Sequence, residues 1–159
     1  MIILGIDPGI ADTGFGVIDK SDNQKLICLD YGSIKTAAGL DLALRLKILH
    51  EELKKVIKKY QPSLMATEEL FFCNNAKTAL VVGQARGVIL LTAELCQVTL
   101  MEFTPLQVKQ AVSSYGRAEK KQVQKMVKLL LNLHELPQPD DAADALAIAI
   151  CAASTTRNT

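Results

Sequence analysis

The sequence predicts an α/β fold in which a mixed five-stranded sheet carries helices on both faces. Three observations carry this. Short apolar runs near the N-terminus are separated by turn residues; later stretches with three- and four-residue apolar spacing alternate with further short runs; and 49% hydrophobic content over 159 residues is enough for a sizeable core. One domain over residues 1–159 is expected, with 154–159 as a polar tail.

Taken in order, Met1 to Ile6 reads as a strand buried on both faces, because apolar residues fill it without alternation, and Asp7 closes it. Pro8-Gly9 and Thr13-Gly14-Phe15-Gly16 have turn chemistry, and the apolar run resumes from Phe15 to Ile18 as the second arm of a hairpin. Lys25 to Lys35 is a third strand, with Gly32 read as a bulge. Leu40 to Tyr60 is an amphipathic helix with Leu42, Leu46, Leu49, Leu53, Val56 and Ile57 on one face, stopped by Gln61-Pro62. Ser63 to Leu70 is a strand that ends, like the first, in carboxylates: Glu68 and Glu69.

Asn74-Asn75 caps a helix predicted from Ala76 to Glu94. Gly83 and Gly87 inside it cost roughly 2 kcal/mol of helix propensity, so they imply close backbone approach, either to the sheet or to a second subunit. Thr99 to Thr104 is a fifth strand, followed by a short helix from Pro105 to Val112. Glu119 to Leu131 is a basic amphipathic helix with Val123, Met126, Val127, Leu130 and Leu131 inward and its lysines outward. The last helix starts after Pro137 and Pro139, with an Asp at its cap.

Net charge is +1, yet Phe103 to His134 holds six Lys or Arg against one acid, while the remainder holds twelve against sixteen. Cys28, Cys73, Cys96 and Cys151 are scattered, so neither a zinc site nor a disulfide framework is indicated, and they read as reduced, mostly buried thiols. His50 reads as a surface residue. No leader is apparent, and no apolar run is read as reaching membrane-spanning length. A cytoplasmic protein with no membrane association is expected.

The acids carry the functional argument. Asp7 stands at the end of a buried strand, where a carboxylate needs a cation or donors; on that stretch alone, a cap on the Pro8-Gly9 turn is an equal alternative. Asp141 and Asp144 lie three apart and so share one face of the last helix. Asp144 is followed by nine apolar residues, Ala145 to Ala153, with little to solvate it. Neighbouring parallel strands present their carboxyl ends together, so Glu68 can converge with Asp7, and a crossing helix can add Asp141 and Asp144. Oxygen ligands without Cys or His select Mg²⁺ or Mn²⁺, and two such ions suit phosphodiester hydrolysis. The basic helix would hold a nucleic acid by its phosphates.

Ile6-Asp7-Pro8-Gly9 with Thr13-Gly14-Phe15-Gly16, Glu68 with Leu70-Phe71, Gly83-Gln84-Ala85-Arg86-Gly87, Gln107-Val108-Lys109-Gln110, Ala118-Glu119-Lys120 and Asp141 to Ile150 together resemble the RuvC family of Holliday junction resolvases. The match spans nearly the whole chain. The resemblance implies an RNase H-like fold and a homodimer, formed partly through the helix of Gly83 and Gly87, that makes paired symmetric nicks in four-way junction DNA. It implies partnership with the RuvA–RuvB branch-migration complex. It assigns Asp7, Glu68, Asp141 and Asp144 as catalytic, metal-binding acids for Mg²⁺, two ions, with Mn²⁺ able to substitute. It places Phe71 against junction bases and Lys109 and Lys120 near the scissile phosphate. Arg117 and Lys121 join these as DNA-binding residues; Lys125 and Lys128 add general backbone attraction. Glu69 falls on the opposite face from Glu68, and Asp140 is read as capping the helix. The alternative function is an RNase H-like nuclease acting on RNA or an RNA–DNA hybrid.

Overall fold

Ten elements build the chain in the computed structural model, which describes residues 1–21, 23, 25–69 and 76–156. They are β1 (Ile2–Asp7), β2 (Asp12–Lys20), β3 (Leu26–Lys35), α1 (Leu42–Tyr60), β4 (Leu64–Glu68), α2 (Ala76–Leu95), β5 (Thr99–Phe103), α3 (Pro105–Ser113), α4 (Lys120–Leu130) and α5 (Asp140–Thr155). The sheet runs β3-β2-β1-β4-β5, antiparallel across the first three strands and parallel from β1 to β4 to β5. The mixed five-stranded sheet is as the apolar runs predict.

Each central strand feeds two cores because its side chains alternate between faces. Ile3, Ile18, Ala66 and Phe103 pack with Val108, Val127 and the apolar face of α5. Leu4, Ile6, Val17 and Met65 pack with Leu49 and Leu53 of α1 and Ala85 and Ile89 of α2. Ile3, Leu4, Ile6 and Leu53 are fully buried, and each such side chain contributes roughly 2 kcal/mol by leaving water.

The α5 face is held closer than side-chain packing alone allows. Gly5 and Gly16 are register partners on β1 and β2. A Cβ at Gly5 would fall on the Ala145 carbonyl, and one at Gly16 would press the Leu146 side chain and backbone at 2.8 Å. Gly14, partner of Asp7, lies against the Asp141 carbonyl in the same way. Alanines on α5 and glycines on the sheet thus let the helix ride on bare backbone. At its far end the buried Lys20 donates from Nζ to the carbonyls of Ala153 and Thr156, at 2.8 and 2.5 Å, a cation placed where the helix dipole favours one.

Several expectations are corrected. The strand irregularity lies opposite the Val17/Ile18 step of β2, where Val17 pairs with Asp30 and Ile18 with Cys28 and Leu29 of β3 is the extra residue; Gly32 pairs regularly with Phe15, whose ring a Cβ there would press at 3.1 Å. Leu130 is 42% exposed because α4 ends at it, while Leu131 is buried. Ser154 and Thr155 belong to α5. His50 is half-buried between helices, its Nδ1 2.8 Å from Thr92 Oγ1. Of the thiols described, only Cys151 is buried; Cys28 and Cys96 are intermediate, and Cys73 lies outside the described residues. By length and composition α2 would reach across a membrane; it instead lays Ala85, Ile89, Thr92 and Ala93 on the protein core. The Asn74-Asn75 cap lies outside the described residues.

Candidate active site

Asp7 and Glu68 end neighbouring parallel strands one step beyond the Ile6–Thr67 pair, so both project toward α5. The turn between β1 and β2 is closed by Thr13, whose hydroxyl donates to the Gly9 carbonyl at 2.5 Å. That task therefore does not fall to Asp7. The N-terminal end of α5 then carries Asp144 over the strand ends, lowered there by the glycines beneath it.

A cavity of about 240 Å³ results, with Asp7, Glu68, Asp144, Lys109 and Lys120 among its walls. Asp141 is outside that lining, at the rim, although its charge still reaches Asp7. Burial, followed by the charges of Asp144, Glu68 and Asp141, pushes the Asp7 carboxyl up to about 8, with Lys120 opposing. Burial and then Asp144 raise Glu68, against the pull of Lys109. Burial and then Asp12 raise Asp141.

Lys120 is the counter-charge already in the site. Its Nζ stands 3.0 Å from Asp144 Oδ2 and 3.4 Å from Asp140 Oδ2. Burial disfavours its charge, but the bond to Asp144 and the nearby Asp140 outweigh this and raise its pKa. The expectation that all lysines of this helix face away is corrected for Lys120, because α4 packs beside α5 and its first residue turns toward the acids. Pro139, not Asp140, occupies the cap position of α5; Asp140 instead accepts from Gln124 Nε2 at 3.0 Å.

Of the expected DNA-binding residues, Lys109 and Lys120 are brought to the cavity. Arg117, in the turn between α3 and α4, and Lys121, on α4, are exposed outside it. Phe71 lies outside the described residues. Glu69 is exposed just past β4. Asp12 was not anticipated: it accepts from Ser33 Oγ at 2.7 Å and acts on Asp141. Strand alternation carries a signal for it, since Asp12, Gly14 and Gly16 share the face on which α5 lies.

Among the described residues no three acidic, His or Cys side chains are gathered tightly enough to enclose one ion as they stand. The donor set nonetheless fits a hard divalent cation. It offers carboxylate oxygens alone, and several of them share one cavity whose most buried member holds its proton to about 8, through burial first and then the neighbouring acids.

A model of the RuvC family, described as crossover junction endodeoxyribonuclease RuvC, matches residues 3–152. The crossover junction endodeoxyribonuclease RuvC of Halothermothrix orenii is 57% identical over 151 residues, 95% of this chain and 91% of that protein. That of Brevibacillus brevis is 59% identical over 150 residues, 94% of this chain and 90% of its own. Among solved structures, T. thermophilus RuvC in complex with a Holliday junction substrate matches with a TM-score of 0.86 at 34% identity, covering 95% of this chain and 92% of that one. The sheet order and helix placement are those of this RNase H-like fold. Nucleases of this kind depend on a metal. With matches of this length and identity, the chain belongs to the RuvC family of crossover junction endodeoxyribonucleases.

Proposed function

We propose that this protein resolves four-way DNA junctions by paired symmetric nicks, through metal-dependent hydrolysis of phosphodiester bonds. The observation that carries the reading is one cavity lined by Asp7, Glu68 and Asp144 together with Lys109 and Lys120, in which burial and then the charges of Asp144, Glu68 and the nearby Asp141 push the Asp7 carboxyl up to about 8. A cation bound there removes the repulsion. Asp7, Glu68 and Asp144 would hold it, with Asp141 at the rim. Mg²⁺ as a pair of ions, with Mn²⁺ as a substitute, is the choice that oxygen ligands favour. Such ions activate water and stabilise the leaving oxygen.

The chain's own residues do the rest. Lys109 and Lys120 stand where a phosphate beside the acids would meet positive charge, and Lys120 keeps Asp144 neutralised until then. Arg117 and Lys121 extend the cationic surface outward for the flanking backbone, where phosphate contacts set register. Phe71, carried by the family resemblance, is assigned to junction bases.

Paired nicks need two sites, and α2 supports a homodimer. Leu80, Leu91 and Leu95 are 65, 56 and 63% exposed along its outer side. Among the described residues a Cβ at Gly87 would meet nothing within 4 Å beyond its own stretch of helix, so its lack of a side chain favours approach by another copy. The chain acts as one domain in the cytoplasm, with RuvA–RuvB as the partners expected to deliver junctions.

The test mixes the protein and Mg²⁺ with a mobile junction, a fixed junction, a plain duplex and an RNA–DNA hybrid. Paired nicks confined to the mobile junction are expected; cleavage of the hybrid alone would transfer the same acids to an RNA-directed nuclease.

A further inference from the structure

The face of the sheet that α2 covers is apolar at Leu4, Ile6, Val17 and Met65. Its end, directly behind the acids, is polar. Thr67 on β4 and Glu102 on β5 are register partners, and neighbouring parallel residues point to the same face. Arg86 of α2 reaches Glu102, its Nη2 donating to Oε1. Arg86 Nε and the Thr67 hydroxyl oxygen are both buried, with no hydrogen-bond partner among the described residues. A donor and an oxygen left unpaired in the same layer are costly to keep. Packing alone would be better served by valine at 67.

What this layer touches is Glu68. Thr67 precedes it on β4, and Phe103, which follows Glu102, is its register partner on β5. The ladder runs one step further, with the Glu69 N–H donating to the Phe103 carbonyl at 2.8 Å. We propose that Arg86 is a positioning residue for Glu68: anchored on Glu102, the register partner of Thr67, it ties the end of β5, and through the β4–β5 ladder the end of β4, to α2 and thereby sets where the Glu68 carboxylate stands among the acids. The proposal rests on the reading of Glu68 as a metal ligand. Arg86 is suited to the task because its rigid, planar guanidinium meets the Glu102 carboxylate in a defined orientation, which a freely rotating ammonium does not.

The experiment measures Mn²⁺ binding directly, by the loss of the free-ion electron paramagnetic resonance signal, beside melting in chelator, for the full chain and the variants Arg86→Lys, Thr67→Val and the double. Arg86→Lys keeps a cation for Glu102 but not the fork; Thr67→Val removes only the hydroxyl. Each single variant is expected to need about 10-fold more Mn²⁺ for half-saturation, the scale for residues that orient a ligand, with melting unchanged or, for Thr67→Val, raised. The double variant is expected to be no worse than the weaker single, because both act through one link. Lower melting with unaltered Mn²⁺ binding would mean a purely structural role and would overturn the proposal, as would losses that simply multiply. Glu68→Gln separates the two levels. If it binds Mn²⁺ like the unmodified chain, the metal role of Glu68 fails and the proposal falls with it; if it weakens binding while Arg86→Lys and Thr67→Val do not, only the Arg86 link fails.

Discussion

The two faces of the sheet are built on different rules. Toward α1 and α2 the layers are spaced by large side chains, Leu4, Ile6 and Met65 against Leu53 and Ile89. Toward α5 the helix backbone itself comes close, with Gly5 beneath Ala145 and Ala149, Gly14 beneath the Asp141 carbonyl, and Gly16 beneath the backbone nitrogen and side chain of Leu146. All four acids of the proposed site lie on the second face, at the strand ends or on the helix that contacts them. The exposed leucines of α2 lie beyond the first. The proposed chemistry thus occupies the side where positions are fixed by backbone contact, and the proposed dimer contact the side where interlocking side chains can adjust.

The sharpest way to break this contrast is at the acids. Asp7→Asn should lower junction cleavage by on the order of 10³-fold while binding to a junction in Ca²⁺ stays near normal, as a gel-shift titration would show. The same change has a second signature without metal. The folded chain holds the Asp7 proton to about pH 8, whereas the unfolded chain releases it near 3.8. The folded state therefore binds more protons across that window, and its stability falls as pH rises through it. Asp7→Asn should flatten that slope and stabilise the chelated protein at pH 8 by about 2 kcal/mol, less than one carboxyl alone would imply because the acids titrate as a set. Melting curves in chelator from pH 5 to 8 measure it; a slope that persists in the variant would place its origin elsewhere.

Gly14→Val tests whether backbone contact sets the site. The side chain would meet the Asp141 carbonyl and lift the start of α5, with an expected cleavage loss of about 100-fold. Leu53→Ala on the other face should cost about 3 kcal/mol of stability yet leave single-turnover cleavage at low temperature within a few-fold. Equal effects of the two on cleavage would dissolve the distinction. Leu91→Glu, on the outer side of α2, should shift the protein to monomer in sedimentation and replace paired nicks by single ones. The smallest effect belongs to Lys121→Ala, which should reduce the salt slope of junction binding by about one phosphate contact.

Much of this was legible in the residues. Two apolar runs that each stop at a carboxylate can form neighbouring strands whose acids converge, and nine apolar residues behind Asp144 leave that acid few places to go. What could not be read depends on contacts between elements distant in sequence. Lys120 lies on the polar arc of its helix, so periodicity places it in solvent; only the packing of α4 beside α5 turns it to Asp144. Leu130 fits the inward spacing, but the helix ends there. Asp140 looks like a cap, yet Pro139 holds that position and Gln124 and Lys120 take the carboxylate. Arg86 sits in a glycine-flanked run that reads as an interface, whereas its partner Glu102 is set by strand register.

The glycines beneath α5 also bear on how this chain can change over time. Where a helix rests on backbone, its height above the sheet does not depend on the volume of core side chains. Substitutions among Leu, Ile and Val elsewhere can accumulate and repack without shifting Asp144 relative to Asp7. The acid spacing is thereby insulated from the slow drift that alters most cores.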